Sequence, residues 1–100
     1  MKKIVLLCST GMSTSLMVNR MREAAKRDNY ECEINAYGLA EAANVVPGSD
    51  CVLIGPQIRF NVPKLQAAYP GIPIEDVDMR VYGTMNGEEA LKAARKLIGD

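Results

Sequence analysis

The feature that most constrains this chain is an apolar run, Ile4 to Leu7, that ends on Cys8. The run does not alternate apolar with polar residues, so it is typical of a strand buried on both faces of a parallel sheet. Cys8 would then stand at the carboxyl end of the strand, the edge at which open α/β sheets bind ligands. The sequence therefore predicts an α/β fold with a cysteine at its functional edge.

The residues after Cys8 are small and rich in hydroxyl groups, and a helical pattern follows near Leu16. A strand, a tight polar loop and a helix N-terminus form an anion cradle, because backbone N–H groups converge there and the helix dipole favours negative charge. The same arrangement favours the thiolate, so Cys8 is predicted to be a nucleophile. Gly11 would let the backbone fold tightly around an anion. The hydroxyl groups that can donate to a thiolate or phosphoryl group are those of Ser9, Thr10, Ser13, Thr14 and Ser15. The plainer alternative is a small buried cysteine followed by an ordinary Ser/Thr loop.

Composition narrows the function further. The chain has 100 residues, which suits one domain spanning 1–100, and its 12 basic residues balance its 12 acidic ones, which gives no indication of nucleic acid as a partner. No signal-peptide core and no run long enough to span a bilayer is present, so a cytoplasmic protein is expected. Three cysteines without CxxC spacing, and no histidine, argue against a disulfide framework, a zinc site and Cys-His catalysis. We expect no metal and no cofactor.

Hydrophobic periodicity predicts strands that alternate with helices, as in a doubly wound α/β layer. The predicted order is a strand at 4–8, a helix at about 13–28, a half-exposed strand at 31–37, a short helix at 39–45, a buried strand at 50–54, a helix at 58–69, an edge strand at 72–77, a loop at 78–85 and a last helix capped by Asn86. Pro63 should break or kink the 58–69 helix. Cys32 and Cys51 are predicted to be structural.

Two further segments should follow strands at the same edge as Cys8. Gly55-Pro56-Gln57 is predicted to form the neighbouring wall of the site, and whether Gln57 contacts a ligand or caps the next helix stays open. In the 78–85 loop, Arg80 and Tyr82 are candidate contacts, although a plain surface loop is the stronger expectation.

Several kinds of phosphate chemistry compete for the cysteine loop. The nucleotide-binding patterns GxxxxGK[ST] and GxGxxG are absent. Low-molecular-weight tyrosine phosphatases place a cysteine after the first strand of such a sheet, in the pattern C-x5-R-[ST], but here the arginine position is Thr14. The loss of a bidentate guanidinium disfavours a hydrolase. A phosphoryl carrier is therefore favoured, with a phosphatase or arsenate reductase, or a non-catalytic binding domain, as the alternatives.

The block Cys8-Ser9-Thr10-Gly11-Met12-Ser13-Thr14-Ser15, together with Gly55-Pro56-Gln57-Ile58 and Tyr82-Gly83, resembles the IIB component of the lactose/cellobiose (diacetylchitobiose) branch of the bacterial phosphoenolpyruvate-dependent sugar phosphotransferase system. The resemblance implies a four-stranded parallel sheet flanked by helices on both faces, similar to low-molecular-weight tyrosine phosphatase. It implies a protein-phosphocysteine–sugar phosphotransferase in which Cys8 accepts phosphate from a phosphohistidine of IIA. The acceptor would be a sugar bound by the membrane permease IIC, so the chain would associate transiently with the inner face of the membrane. The implied phosphate-binding residues are Ser9, Thr10, Gly11, Met12, Ser13, Thr14 and Ser15.

Overall fold

Four parallel strands form a single sheet in the order β2-β1-β3-β4, in a computed structural model that describes residues 1–9 and 15–100. The strands are β1 (Lys2–Cys8), β2 (Cys32–Gly38), β3 (Cys51–Ile54) and β4 (Ile74–Asp76). The helices are α1 (Ser15–Arg27), α2 (Ala42–Val45), α3 (Val62–Ala68), α4 (Met79–Gly83) and α5 (Gly87–Ile98), with 3-10 turns at Leu39–Glu41 and Pro56–Asn61. The predicted fold class is confirmed, and the strand with the cysteine is central.

Both faces of the sheet are covered because β1 and β3 are apolar on both sides. On one face, Ile4 and Leu6 share a buried cluster with α1 and α5. On the other face, Val5 and Leu7 lie in a second cluster with Ala42, Ile58 and other residues of the α2 and α3 layer. The predicted buried stripe of the first helix is confirmed: Met17, Val18, Met21, Ala24 and Ala25 are all buried.

The helix ends follow the capping signals in the sequence. Asn29, the predicted stop after α1, has a left-handed φ of 53°, a conformation that asparagine tolerates better than most residues. At the start of α5, the side chain of Asn86 accepts a hydrogen bond of 3.1 Å from the backbone N–H of Glu89. The predicted N-cap of the last helix is therefore confirmed.

The helix predicted at 58–69 is wrong in its first half. The segment begins as a 3-10 turn, Pro56–Asn61, in which Ile58 has a non-helical φ of −119°, and α3 starts only at Val62. Pro63 lies in the first turn of α3, where a proline needs no N–H donor and its fixed φ suits the helix. The proline thus marks a helix start where a break or kink was expected.

The loop predicted at 78–85 is also wrong, because residues Met79–Gly83 form α4. The carboxylate of Asp78 caps this short helix by accepting from the backbone N–H groups of Arg80 and Val81. Tyr82 is 4% exposed and belongs to the cluster beneath α1 and α5, so it is a core residue and not a surface-loop residue. Arg80 is exposed on α4.

Candidate active site

Cys8 is the last residue of β1 and is 2% exposed. Its neighbours across the sheet are backbone: Gly38 of β2 pairs with it in register, and the N–H of Gly55 donates 2.8 Å to the carbonyl of Leu7 on the other side. A cysteine held between two paired strands has a fixed backbone. Its thiol is therefore presented at a defined point of the sheet's carboxyl edge.

The loop that follows Cys8 is bounded by a strand on one side and a helix on the other. Ser9 is exposed directly after β1, and Ser15 is the exposed first residue of α1. The first turn of α1 has no acidic residue that would repel an anion, and Lys26 and Arg27 lie in its last turn. The charged side chains of the helix therefore do not disfavour an anion at its N-terminus. The predicted loop residues Thr10, Gly11, Met12, Ser13 and Thr14 lie outside the described residues.

The structure places Gly55 beside Cys8, as predicted, and brings the side chain of Gln57 to the same glycine. A Cβ atom built on Gly55 would lie 3.5 Å from the Cβ of Cys8 and 3.4 Å from the side-chain oxygen of Gln57. The Gln57 side-chain oxygen and the Cys8 Cβ therefore both lie within van der Waals reach of the same point on Gly55, although Gln57 itself belongs to the next 3-10 turn. Sequence reasoning left the role of Gln57 open because a turn residue's side-chain direction is not encoded in its spacing.

The other two cysteines are distant from this edge in the fold. Cys51 is fully buried at the start of β3 and pairs in register with Ile4, in the N-terminal half of β1. Burial, followed by the charge of Asp50, raises the pKa of the Cys51 thiol to about 12. Burial likewise raises the pKa of Cys32, which pairs with Lys2. Both thiols are held in their protonated form at neutral pH, as expected of structural cysteines.

A cleft of about 640 Å³ lies between α1 and the start of α5, and neither Cys8 nor Gly55 lines it. Its walls include Arg20, Arg27 and Glu88, and the last two approach to 3.9 Å as an exposed ion pair. The cleft is a groove between two packed helices whose charges compensate each other. Over residues 1–9 and 15–100, no group of three or more metal-ligating side chains is close enough to hold an ion.

The parallel sheet and the cysteine at its carboxyl edge define a class of protein: small α/β domains of the phosphatase-like type, with a cysteine at the end of the first strand. Comparison with known families identifies a particular family within this class. Residues 3–93 match the family model described as "PTS system, Lactose/Cellobiose specific IIB subunit". The chain belongs to this family, and it is a sugar-specific IIB component of the cellobiose/lactose type.

Relatives along the whole chain agree with this assignment. The oligo-beta-mannoside-specific EIIB component of Bacillus subtilis (strain 168) is 44% identical over 100 residues, covering 98% of this chain and 97% of the relative. The galactose-specific EIIB component of Lactococcus lactis subsp. cremoris (strain MG1363) is 36% identical over 104 residues, covering 97% and 96%. Among solved structures, the cellobiose-specific phosphotransferase IIB component of Borrelia burgdorferi superimposes with a TM-score of 0.82 at 40% identity, covering 98% of this chain and 92% of that one. Helices in the described ranges are all too short or too polar to cross a membrane.

Proposed function

We propose that this chain is a phosphoryl carrier in which Cys8 accepts phosphate from a phosphohistidine of a IIA protein and transfers it to a sugar bound by a IIC permease. The observation that carries the proposal is the position of Cys8. It ends the central strand of the sheet, directly before the segment that leads into α1, and it does so in a chain of the IIB family. The cysteine edge is where phosphate chemistry is expected in a sheet of this topology.

The proposed transfer consists of two in-line displacements. In the first, the Cys8 thiolate attacks phosphorus, the S–P bond forms, and the N–P bond breaks with its electron pair left on the imidazole nitrogen. In the second, a sugar hydroxyl attacks the same phosphorus, the electron pair of the broken S–P bond returns to Cys8, and the proton of the hydroxyl balances the thiolate that is released, so that the thiol is regenerated overall. Phosphoryl transfer of this kind depends on positioning and on donors that receive the charge on the phosphoryl oxygens.

The donors in this proposal come from the segment between β1 and α1. Backbone N–H groups and hydroxyls would bind the phosphoryl oxygens, and a helix N-terminus favours the added negative charge. We assign this role to the residues Ser9, Thr10, Gly11, Met12, Ser13, Thr14 and Ser15. The transfer is written without a metal or an organic cofactor. It would take place in the cytoplasm, with transient association at the inner face of the membrane through the permease.

Docking to both partners is supported by apolar side chains that the fold leaves exposed. Leu16 in the first turn of α1 is 48% exposed, Phe60 in the turn after β3 is 75% exposed, and Met79 at the start of α4 is 67% exposed. Each lies in the segment that follows the carboxyl end of a strand, and Cys8 is itself the carboxyl end of β1. An exposed apolar rim around a reacting group is suited to a surface that binds partner proteins.

The transported sugar is not fixed by this chain. The relatives that match it carry names that specify an oligo-beta-mannoside, galactose and cellobiose, although the whole chain aligns with each or nearly so. A carrier that presents a phosphoryl group has little need to contact most of the sugar. We infer that sugar selectivity lies in the permease, within the range of cellobiose-, chitobiose- and lactose-type sugars.

The test is the intact mass of the protein after incubation with a phosphorylated IIA of the lactose/cellobiose type, followed by localisation on peptides. One phosphoryl group on Cys8 is expected, together with its transfer to sugar when permease membranes are added. Cys8→Ser should fold and fail to carry phosphate to sugar, whereas the matched variants Cys32→Ser and Cys51→Ser should retain transfer with some loss of stability. An unmodified wild-type protein, with a donor proven on another acceptor, would contradict the proposal, and turnover of an aryl phosphate or arsenate would then point to a hydrolase or reductase.

A further inference from the structure

The side chain of Gln57 and the reacting cysteine both border Gly55, although Gln57 is not part of the loop after β1. Its amide oxygen and the Cβ of Cys8 lie 3.4 and 3.5 Å from the same point, the position that a Cβ on Gly55 would occupy. The backbone of Gly55 is itself tied to β1 by its N–H bond to Leu7. The amide of Gln57 therefore lies against a backbone that is fixed by its hydrogen bond to β1.

The Gln57 amide is available to donate a hydrogen bond to a ligand. Among the described residues Gln57 has no hydrogen-bond partner, whereas the amide of Gln66 donates 2.8 Å to the carbonyl of Ile74. The terminal torsion of glutamine is broad and nearly two-fold, so a rotation about it brings Nε2 to the place of Oε1. Gln57 is also exposed, so the rotation needs no repacking of the core.

We propose that Gln57 is a phosphoryl-binding residue: its Nε2 donates a hydrogen bond to an oxygen of the phosphoryl group carried on Cys8. The inference rests on the proposed function and extends the binding site beyond the loop that follows β1. Cys8 is bordered by Gly38 of β2 and by Gly55, which directly follows β3, and neither glycine has a side chain to donate. The carboxamide of Gln57 would supply a neutral donor from outside the segment between β1 and α1.

Gly55 contributes to the same proposed phosphoryl-binding arrangement. Its φ of −59° and ψ of 140° are open to any residue, so the backbone conformation does not require glycine. A methyl group at this position would be in ordinary van der Waals contact with both the Gln57 amide oxygen and the Cβ of Cys8. Glycine therefore leaves this space, which both groups border, unfilled.

The experiment measures the rate at which phosphorylated IIA transfers its phosphoryl group to four variants: Gln57→Leu, Gln57→Glu, Gly55→Ala and the control Gln66→Leu. Loss of one hydrogen bond to a charged group should slow transfer about 10- to 100-fold in Gln57→Leu, and Gly55→Ala should be slowed as well. Gln57→Glu has nearly the shape of glutamine but adds a negative charge, so it should be slower than Gln57→Leu. A purely structural role would give the opposite order, and Gln66→Leu should transfer at the wild-type rate.

Thermal unfolding of each variant shows whether slower transfer comes from the loss of the hydrogen bond or from the loss of the folded structure. If a Gln57 variant does not fold, the transfer rate of Gly55→Ala tests the proposal. Wild-type transfer rates in both Gln57→Leu and Gly55→Ala would overturn the assignment of Gln57 while leaving Cys8 as the carrier. A wild-type protein that accepts no phosphate would instead refute the proposed function itself.

Discussion

The contact between α1 and α5 gives the sharpest stability prediction, because Gly87 lies where the two helices meet. A Cβ added to Gly87 would stand 2.5 Å from the Cβ of Arg20 and 2.6 Å from the backbone nitrogen of Met21, and closer still to the carbonyl carbon of Arg20. Carbon atoms in favourable contact are about 3.5 to 4.0 Å apart, so the helices in Gly87→Ala must separate by about 1 Å. The obstacles are mostly backbone atoms of a helix, which cannot turn aside as a flexible side chain does.

The cost can be estimated from overpacking in other cores, which is about 1 to 3 kcal/mol. The upper end applies here, since separation of the helices also loosens Ala90, Leu91 and Ala94, which are buried on α5. A loss of about 3 kcal/mol is a large share of a typical unfolding free energy of about 5 to 15 kcal/mol. For a domain of this size it corresponds to a melting temperature lower by about 12 to 24 °C.

The assay is thermal unfolding followed by circular dichroism, with urea unfolding as a second measure. Gly83→Ala is the matched control: Gly83 ends α4, and nothing lies within 4 Å of its added Cβ. The control should be neutral or stabilised by up to about 1 kcal/mol, because alanine restricts the unfolded chain more than glycine does. If Gly87→Ala melts within a few degrees of Gly83→Ala, α1 and α5 are not in close contact at Gly87.

Three further predictions concern the pH dependence, a helix cap and the docking rim. The folded pKa of Cys51 is raised from 9.0 to about 12, so above about pH 9 the unfolded chain loses a proton that the folded chain keeps. The unfolding free energy should therefore fall by up to about 1.4 kcal/mol per pH unit there, and Cys51→Ala should show a shallower slope in urea titrations at pH 9 and 10.5. Asn86→Ala removes the acceptor of the Glu89 N–H and should lower the free energy of unfolding by about 1 kcal/mol, measured as a lower melting temperature. An unchanged melting temperature would show that this N-cap does not stabilise α5. Phe60→Ser removes a side chain that is 75% exposed, so melting should not change while the second-order rate of transfer from IIA falls several-fold, and an equal rate would exclude Phe60 from the docking surface.

The sheet and its central strand were predictable because burial on both faces leaves a continuous apolar run. The runs at Ile4 to Leu7 and at Cys51–Ile54 have this form, and both became central strands. Pro73 was expected to place the fourth strand at an edge, and β4 does pair only with β3 among the described strands. Periodicity of 3.6 residues likewise located the buried stripes of α1 and α5.

The short helix predicted at 39–45 is present as the 3-10 turn Leu39–Glu41 and α2, but two other short elements were missed, because one or two turns do not repeat a pattern. Met79–Gly83 has five residues, so only the Asp78 cap signals it, and the buried Tyr82 could not be distinguished from an exposed one. The turn at Pro56–Asn61 was missed for the same reason. The sequence also does not distinguish a proline at the second position of a helix from a proline that breaks a helix. The direction of the Gln57 side chain depends on this turn, which is why the sequence placed the residue near Cys8 without assigning its role.

A neutral donor beside Cys8 fits a carrier better than a hydrolase. A guanidinium at this edge would bind a phosphoryl group bidentately and stabilise its transfer to any nucleophile, water included. The proposed carrier has a different requirement, because the phosphocysteine has to persist until a sugar arrives and must still react when it does. Thr14 at the arginine position of the phosphatase pattern, and a single carboxamide from Gln57 across Gly55, would hold the phosphoryl group with donors of moderate strength. On this reasoning Thr14→Arg should increase hydrolysis of the phosphocysteine relative to transfer, and an unchanged lifetime in water would show that the missing arginine is not what separates the two activities.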